Sequence, residues 1–282
     1  LKRQLQERGH IFRSETDTEV IVHLIEEHYD GDLLTAVNAT LPYLRGSYAI
    51  LAIAADTQRI VAARDASPLV LGIGDSEIFA ASDMTPLLEY TERVIYLEDG
   101  DVADITPDRL DIYHGGRRVE RPIELISWCV EDTRKGGFDH YMLKEIFEQP
   151  QSFYETIRAG IDDNVRQMIM GADEITLVAC GTSYHTTLIF KYLAESLCNI
   201  SVRAEMGSEF KYFVPPLRGL VIAVTQSGET ADTIAALKMA KARNCSTLAI
   251  TNVQGSTVTR VADSTLLMRA GPEIGVAATK SY

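Results

Sequence analysis

The sequence predicts two domains of different fold class: an α+β first part, followed by an α/β part with a doubly wound parallel sheet. Between residues 47 and 113, short apolar runs are separated by turn residues, which indicates a largely antiparallel sheet. From residue 175 onward, apolar runs alternate with stretches of helical spacing across short connections, as in parallel α/β sheets. The stretch between these regions is polar and irregular, so we predict a first domain at 1–115, a linker at 116–140 and a second domain at 141–282.

The first domain is predicted to begin with helices. The sequence Thr16-Asp17-Thr18-Glu19 fits a capping box, and the apolar residues that follow it have helical spacing. Leu33, Val37 and Leu41 mark a second helix. Strands are then predicted at residues 47–55, 59–63, 69–73, 77–80, 93–97, 102–105 and 110–113.

The second domain is predicted to begin with helices at 141–147 and 151–170. Strands follow at 175–180, 201–205, 220–225, 247–251 and 264–269, with helices at 186–197 and 231–243. The runs at 175–179 and 220–224 are apolar almost throughout, which is typical of strands buried on both faces.

Two hydroxyl-rich segments follow these buried strands, and each opens a predicted helix. They are Cys180-Gly181-Thr182-Ser183 and Thr225-Gln226-Ser227-Gly228-Glu229-Thr230. A helix N-terminus offers unpaired N–H donors, and hydroxyls add donors that can reorient, so such loops bind anions without Lys or Arg. For either loop alone, ordinary helix capping is the better interpretation. The pair favours an anion site at the rim of the sheet.

Composition limits the possible partners. A formal charge of −13 and a pI near 4.9 argue against nucleic acid, so an anionic ligand must be captured locally. No apolar segment has the length of a membrane span, and we expect neither a membrane partner nor a metal or other cofactor. The four cysteines, which form no CxxC pair, fit a reducing cytoplasm; they are Cys129, Cys180, Cys198 and Cys245.

Five segments, in order along the chain, resemble the glutamine–fructose-6-phosphate aminotransferase (isomerizing), or glucosamine-6-phosphate synthase, family. They are residues 14–20 (SETDTEV), 141–150 (YMLKEIFEQP), 179–184 (ACGTSY), 226–233 (QSGETADT) and 273–277 (EIGVA). The resemblance implies that 1–115 is the C-terminal portion of an Ntn-hydrolase glutaminase domain. Residues 141–282 would then be the first sugar-isomerase (SIS) subdomain, truncated at its C-terminal end.

The activity implied by the resemblance is the synthesis of glucosamine 6-phosphate and glutamate from fructose 6-phosphate and glutamine. This product feeds UDP-N-acetylglucosamine synthesis, and the family is expected to form homodimers. The family's cysteine nucleophile would precede Leu1, and its isomerase residues would follow Tyr282. We therefore predict no catalytic residue in this chain, which alone is expected to bind substrate without turnover.

The resemblance also implies which residues contact substrate. The predicted phosphosugar contacts are Thr182, Ser183, Thr225, Gln226, Ser227 and Thr230, with Val276 near the sugar. The family more often has Ser where Thr225 stands. Asp17 would hold the α-amino group of glutamine, although a first-turn carboxylate that complements the helix dipole explains it equally.

Several alternatives stay open at this stage. The chain could be an isolated SIS-type phosphosugar sensor, or part of a related amino-sugar-phosphate deglycase or isomerase. Glu229 is expected to point away from an anion and to cap or pair, and a contact with sugar hydroxyls is the alternative. Cys180 ends a buried strand with no adjacent base, so an inert core thiol is expected.

Overall fold

The computed structural model describes residues 1–107, 109–126, 128, 130–212 and 216–282. These residues form two compact units, Leu1–Leu125 (unit 1) and Ile126–Tyr282 (unit 2). The division falls inside the predicted linker, while the predicted domain limits themselves stay predictions. Among the helices of the described residues, none combines the length and the apolar character that a membrane crossing requires. Cys129 lies outside the described residues.

Unit 1 begins with the helices α1 (Lys2–Glu7), α2 (Glu19–His28) and α3 (Leu33–Thr40). The capping-box prediction is wrong, because α2 begins at Glu19 itself and its N-cap makes no side-chain hydrogen bond. The Glu19 carboxylate instead accepts hydrogen bonds from the backbone N–H groups of Arg13 and Ser14, at 2.7 and 2.8 Å. Glu19 therefore holds the preceding loop against the helix.

The strands of unit 1 pair antiparallel, as the sequence predicts. They form two sheets, with orders β1-β2-β6-β7-β8 and β4-β3-β5-β9. A single apolar cluster that includes Leu71, Ile95 and Ile105 draws on both sheets. The strands are β1 (Tyr48–Ile53), β2 (Ile60–Asp65), β3 (Val70–Ile73), β4 (Ile78–Ala81), β5 (Arg93–Tyr96), β6 (Asp101–Thr106), β7 (Arg109–His114), β8 (Arg117–Val119) and β9 (Glu124–Leu125).

Unit 2 has the predicted α/β class. Its strands pair in parallel, in the order β11-β10-β12-β13-β14. These strands are β10 (Ile175–Ala179), β11 (Val202–Met206), β12 (Leu220–Thr225), β13 (Ser246–Thr251) and β14 (Ser264–Leu267). The helices are α4 (Tyr141–Ala159), α5 (Asp163–Met170), α6 (Gly181–Cys198), α7 (Gly207–Phe210), α8 (Ala231–Ala242) and α9 (Thr257–Val261).

The first two helices of unit 2 divide at a different point from the one predicted. Helix α4 continues through Pro150 and ends at Ala159, and the next residue, Gly160, has a φ of 69°. Contacts on both sides of the proline hold α4 to one neighbouring segment. Gln149 Nε2 donates to the carbonyl of Thr279 at 2.6 Å, and Ser152 Oγ donates to that of Ala270 at 3.3 Å. These contacts compensate for the N–H group that proline lacks.

The winding of the sheet reverses between β10 and β12. Helix α6 leads from β10 to β11 at one edge, and α8 leads from β12 to β13 on the other side. Separate apolar clusters cover the two faces of the sheet, one including Val165 and Leu177 and the other including Val178 and Ala236. In open parallel sheets, ligands bind at the carboxyl ends of the strands where the winding reverses.

Candidate functional site

The two hydroxyl loops lie side by side at this reversal. Strands β10 and β12 are parallel neighbours, with Ala179 paired to Val224 at their carboxyl ends. The first loop leads directly into α6 and the second into α8. Two helix N-termini therefore open at the same edge of the sheet, between strands that share hydrogen bonds.

Hydrogen bonds within the second loop fix its shape. The hydroxyls of Thr225 and Thr230 lie 3.0 Å apart, and Thr225 Oγ1 also accepts from the Gly228 N–H at 3.3 Å. Ser227 Oγ accepts from the Glu229 N–H at 3.1 Å. Since the Ser227 oxygen is used as an acceptor, its O–H is left to donate to a ligand. The buried Thr225 acts chiefly as a brace within the loop.

The end of β13 and the segment that follows it hold the second loop in place by hydrogen bonds and by close packing. The Gln226 carbonyl accepts from the Asn252 N–H at 3.1 Å and from Thr251 Oγ1 at 3.2 Å. Gly228 has a φ of 70°, and a Cβ added there would lie 2.0 Å from Ser256 Oγ. Only glycine fits this position, because both the backbone conformation and the space exclude a side chain.

Glu229 turns away from the loop, as its capping interpretation predicts. Its Oε1 accepts a hydrogen bond from the Thr257 N–H, at the first residue of α9, at 2.7 Å. The carboxylate thereby satisfies an N–H group that the helix leaves unpaired. The negative charge of Glu229 therefore lies at the N-terminus of α9 and not at the N-termini of α6 and α8.

The first loop is more open than the second. Gly181 has a φ of 58°, with nothing within 4 Å of the position of an added Cβ. The Thr182 side chain is exposed, whereas Ser183 is buried. The Tyr282 phenol lies beside the Ser183 hydroxyl, and burial raises the pKa of Tyr282. This phenol is therefore neutral at physiological pH and is available as a donor beside Ser183.

A segment from Gly271 to Tyr282 is anchored by two carboxylates. Glu145 of α4 is buried and accepts from the N–H groups of Ile274 and Gly275, at 2.7 and 2.8 Å. Burial alone would raise the pKa of Glu273, but hydrogen bonds from the 279–281 segment hold this pKa below its usual value. Glu145 lies in the segment 141–150 and Glu273 in the segment 273–277, and both segments resemble the family. This resemblance was the sequence signal that could have identified the two glutamates.

Val276 lies on this anchored segment, with its side chain fully exposed. The part of the segment beside Ser183 is its end, at Tyr282. The predicted contact of Val276 with a sugar thus stays a prediction, and Tyr282 is a neighbour that the sequence analysis missed.

Asp17 belongs to unit 1 and lies just before α2. It is exposed and lines a groove of about 1010 Å³, together with Tyr48, Ser67 and Ser82. Asp17 lies next to the N-terminus of α2, where a carboxylate complements the helix dipole. This position is compatible both with that structural role and with binding the α-amino group of glutamine.

Cys180 occupies a packed position at the end of β10. Thr233 Oγ1 donates to its sulfur at 3.8 Å, and Gly207 packs so closely that an added Cβ would lie 2.8 Å from Cys180 Sγ. These contacts fit the interpretation of a core thiol. The hydroxyls and amide N–H groups of the two loops can bind and orient an anion, and they supply no nucleophile or base of their own.

Two family models match separate parts of the chain. Residues 1–89 match a glutamine amidotransferase domain, and residues 168–282 match a SIS domain. The fold and these matches define a chain in which a glutamine amidotransferase segment precedes a SIS domain. Both predicted fold classes are thereby confirmed.

Along its whole length, the chain is similar to enzymes named glutamine–fructose-6-phosphate aminotransferase [isomerizing]. The Thermococcus kodakarensis enzyme is 48% identical over 100% of this chain and 48% of its own length. The Thermotoga maritima enzyme is 44% identical over 99% of this chain and 48% of its own length. The predicted resemblance is confirmed, and the chain spans about half the length of these relatives.

A solved structure is also similar to part of the chain. It is the C-terminal domain of glucosamine-fructose-6-phosphate aminotransferase from Francisella tularensis, which is 38% identical with a TM-score of 0.50. The match covers 52% of this chain and 44% of that one.

Proposed function

We propose that this chain is part of an amidotransferase that makes glucosamine 6-phosphate and glutamate from fructose 6-phosphate and glutamine. In this proposal, unit 2 binds the sugar phosphate and unit 1 contributes to glutamine binding through Asp17. The similarity to named aminotransferases along the whole chain supports the reaction. A homodimer and a cytoplasmic location, both implied by the resemblance and the composition, stay predictions.

The observation that carries the proposal is the pair of hydroxyl loops at adjacent strand ends. The helix N-termini of α6 and α8 would surround the phosphate, with donors from Thr182, Ser183, Ser227 and Thr230. Such donors bind a dianion strongly, because hydrogen bonds to charged groups are about twice as strong as neutral ones. Gln226 would complete the site, and the compact second loop would need little reorganisation on binding.

Isothermal titration calorimetry on the purified chain tests the sugar-phosphate site. Fructose 6-phosphate should bind at least about 100-fold more tightly than fructose, since the phosphate forms two or more charge-assisted hydrogen bonds. Glucosamine 6-phosphate should compete for the same site. Equal affinity for fructose and fructose 6-phosphate would overturn the placement.

A panel of other sugar phosphates separates this reaction from the alternatives. Preference for fructose 6-phosphate and glucosamine 6-phosphate supports the aminotransferase, whereas preference for a different amino-sugar phosphate supports a deglycase or isomerase. In the longer protein, glutamine-dependent formation of glucosamine 6-phosphate is the expected activity. Binding without this activity in the longer protein would favour the sensor.

A further inference from the structure

We propose that His10, His23 and Glu26 form a binding site for a zinc-class divalent cation in unit 1. Three donor atoms from these residues face one another. His10 Nδ1 lies 3.1 Å from His23 Nδ1, and Glu26 Oε2 lies 3.4 Å from the first nitrogen and 3.5 Å from the second. The sequence analysis expected no metal, because the cysteines form no CxxC pair and have no spacing with histidine that suggests a metal site.

The size of this triangle fits a metal ion. A tetrahedral zinc ion with bonds of about 2.0–2.1 Å places its neighbouring donors about 3.3–3.4 Å apart. The three measured separations, 3.1, 3.4 and 3.5 Å, bracket that value. Two imidazoles and a carboxylate are also a known donor set for zinc with one open position. No side chain needs a large movement to accept the ion.

Two further carboxylates lie beside the Nε2 atoms of the imidazoles. His10 Nε2 lies 3.3 Å from Glu27 Oε1, and His23 Nε2 lies 3.7 Å from Glu19 Oε1. In His10, Nε2 would carry the proton and donate to Glu27, which leaves the Nδ1 lone pair for the cation. Glu19 is too far from His23 Nε2 for a hydrogen bond and contributes its charge only. The Glu19 carboxylate is itself held in place by the N–H groups of Arg13 and Ser14, at 2.7 and 2.8 Å.

Burial and access are also suitable. Both imidazole side chains are only 14% exposed, while Glu26 is 69% exposed, so the ion could enter from the Glu26 side. The Phe12 ring packs against His23 with 4.3 Å between ring centroids and shields the inner side. Glu19, Glu26 and Glu27 supply negative charge around the two rings, and Arg8 pairs with Glu27.

A direct hydrogen bond between the two Nδ1 atoms is the competing explanation of their short distance. It would require one ring to carry a proton on Nδ1, either in place of the Nε2 proton or in addition to it. A bound cation would instead satisfy the lone pairs of both Nδ1 atoms while His10 Nε2–H donates to Glu27. The ion would connect the loop at His10 to helix α2 and so restrain the intervening segment, which contains Asp17.

The test is zinc titration of the complete chain after chelator treatment, followed by calorimetry. We expect one ion per chain, and at least about 100-fold weaker binding in His10→Gln and His23→Gln, since even outer-shell changes cost about 10–100-fold. Glu27→Gln, which changes an outer-shell carboxylate, should weaken zinc binding about 10–100-fold. His28→Gln is the matched control, because His28 lies on the same helix but stacks on Tyr43 instead.

Cobalt substitution tests the site in the wild-type chain, so its result does not depend on whether the variants fold. The absorption spectrum of the cobalt-loaded wild-type chain should indicate a tetrahedral site with nitrogen and oxygen ligands. Thiolate charge-transfer bands would place the ion on cysteines and overturn the proposal. Absence of stoichiometric zinc binding, or equal binding by His23→Gln and His28→Gln chains, would overturn it as well.

Discussion

At the scale of single residues, the candidate site separates side chains that can contact a ligand from those that maintain the loop. Thr225 is buried and bonded to Thr230 and Gly228, whereas Ser227 is only half-buried and keeps a free hydroxyl proton. The sequence analysis predicted Thr225, Ser227 and Thr230 alike as ligand contacts. The distinction depends on burial and on hydrogen-bond direction, which residue types alone do not give.

Replacement of Ser227 with Ala should weaken fructose 6-phosphate binding about 10- to 100-fold. The change removes a hydrogen bond to a charged group, worth about 1.5–3 kcal/mol. Calorimetric titration measures the effect, and Ser196→Ala, an exposed serine on α6, is the control. An unchanged dissociation constant in the Ser227→Ala chain would contradict the assignment.

Asp101 gives a residue-scale prediction for unit 1. Its buried carboxylate accepts two hydrogen bonds from Arg121, both at 2.8 Å, and another from the Glu98 N–H at 2.8 Å. Asp101→Asn should lower the free energy of unfolding by about 3–5 kcal/mol at neutral pH, because Arg121 loses its buried partner. Denaturant unfolding measures this change. Glu98→Gln, which alters a more exposed partner of Arg121, should cost less than about 1 kcal/mol.

The same pair predicts a pH dependence. Burial raises the pKa of Asp101, but the hydrogen bonds from Arg121, Glu98 and His114 outweigh it and hold this pKa below the usual 3.8. The stabilisation is therefore present above pH 3.8 and is lost as the pH falls through the folded-state pKa. The difference in stability between wild type and Asp101→Asn should shrink over that acidic range. A constant difference down to acid unfolding would show that Asp101 is not the titrating group.

At the scale of elements, loop geometry decides where the helices of unit 2 begin and end. The sequence predicts a break between helices at 141–147 and 151–170, yet α4 continues to Ala159, and side chains on both sides of Pro150 bind the carbonyls of Ala270 and Thr279. Helix α6 likewise begins at Gly181, five residues before the predicted start at 186, because Gly181 adopts a φ of 58° directly after β10.

The two loop glycines predict different costs for the same substitution. Gly228→Ala should destabilise unit 2 by about 3 kcal/mol or more, since a left-handed backbone adds to a clash with Ser256. Gly181→Ala has open space and should cost only the backbone strain, about 1–2 kcal/mol. Urea unfolding of the two variants compares them directly. Similar losses in both would mean that the packing against Ser256 does not exist in solution.

At the scale of the whole molecule, the ligand should stabilise one unit selectively. Fructose 6-phosphate at 100 times its dissociation constant stabilises a folded unit by about 2.7 kcal/mol, which slows globally exchanging amides about 100-fold. Because both hydroxyl loops belong to unit 2, this protection is expected for β10 and β12 and not for β6. Hydrogen exchange with mass spectrometry measures it. Protection confined to unit 1 would place the sugar phosphate elsewhere.

The sequence by itself determined the two fold classes, the positions of most strands and the two hydroxyl loops. These features depend on the local periodicity of apolar residues and on backbone preferences, both of which can be recognised within a few consecutive residues. The alternation of strands and helices predicted that the second sheet is parallel, whereas the order of its strands came from the structure.

Only the tertiary structure decided which distant residues meet. Glu145 binds Thr279 from 134 positions away, Tyr282 lies beside Ser183, and His10 meets His23 and Glu26 across a loop. No local pattern encodes such pairs, because the free energy that holds them comes from burial and hydrogen bonding between segments that meet only after the chain has folded.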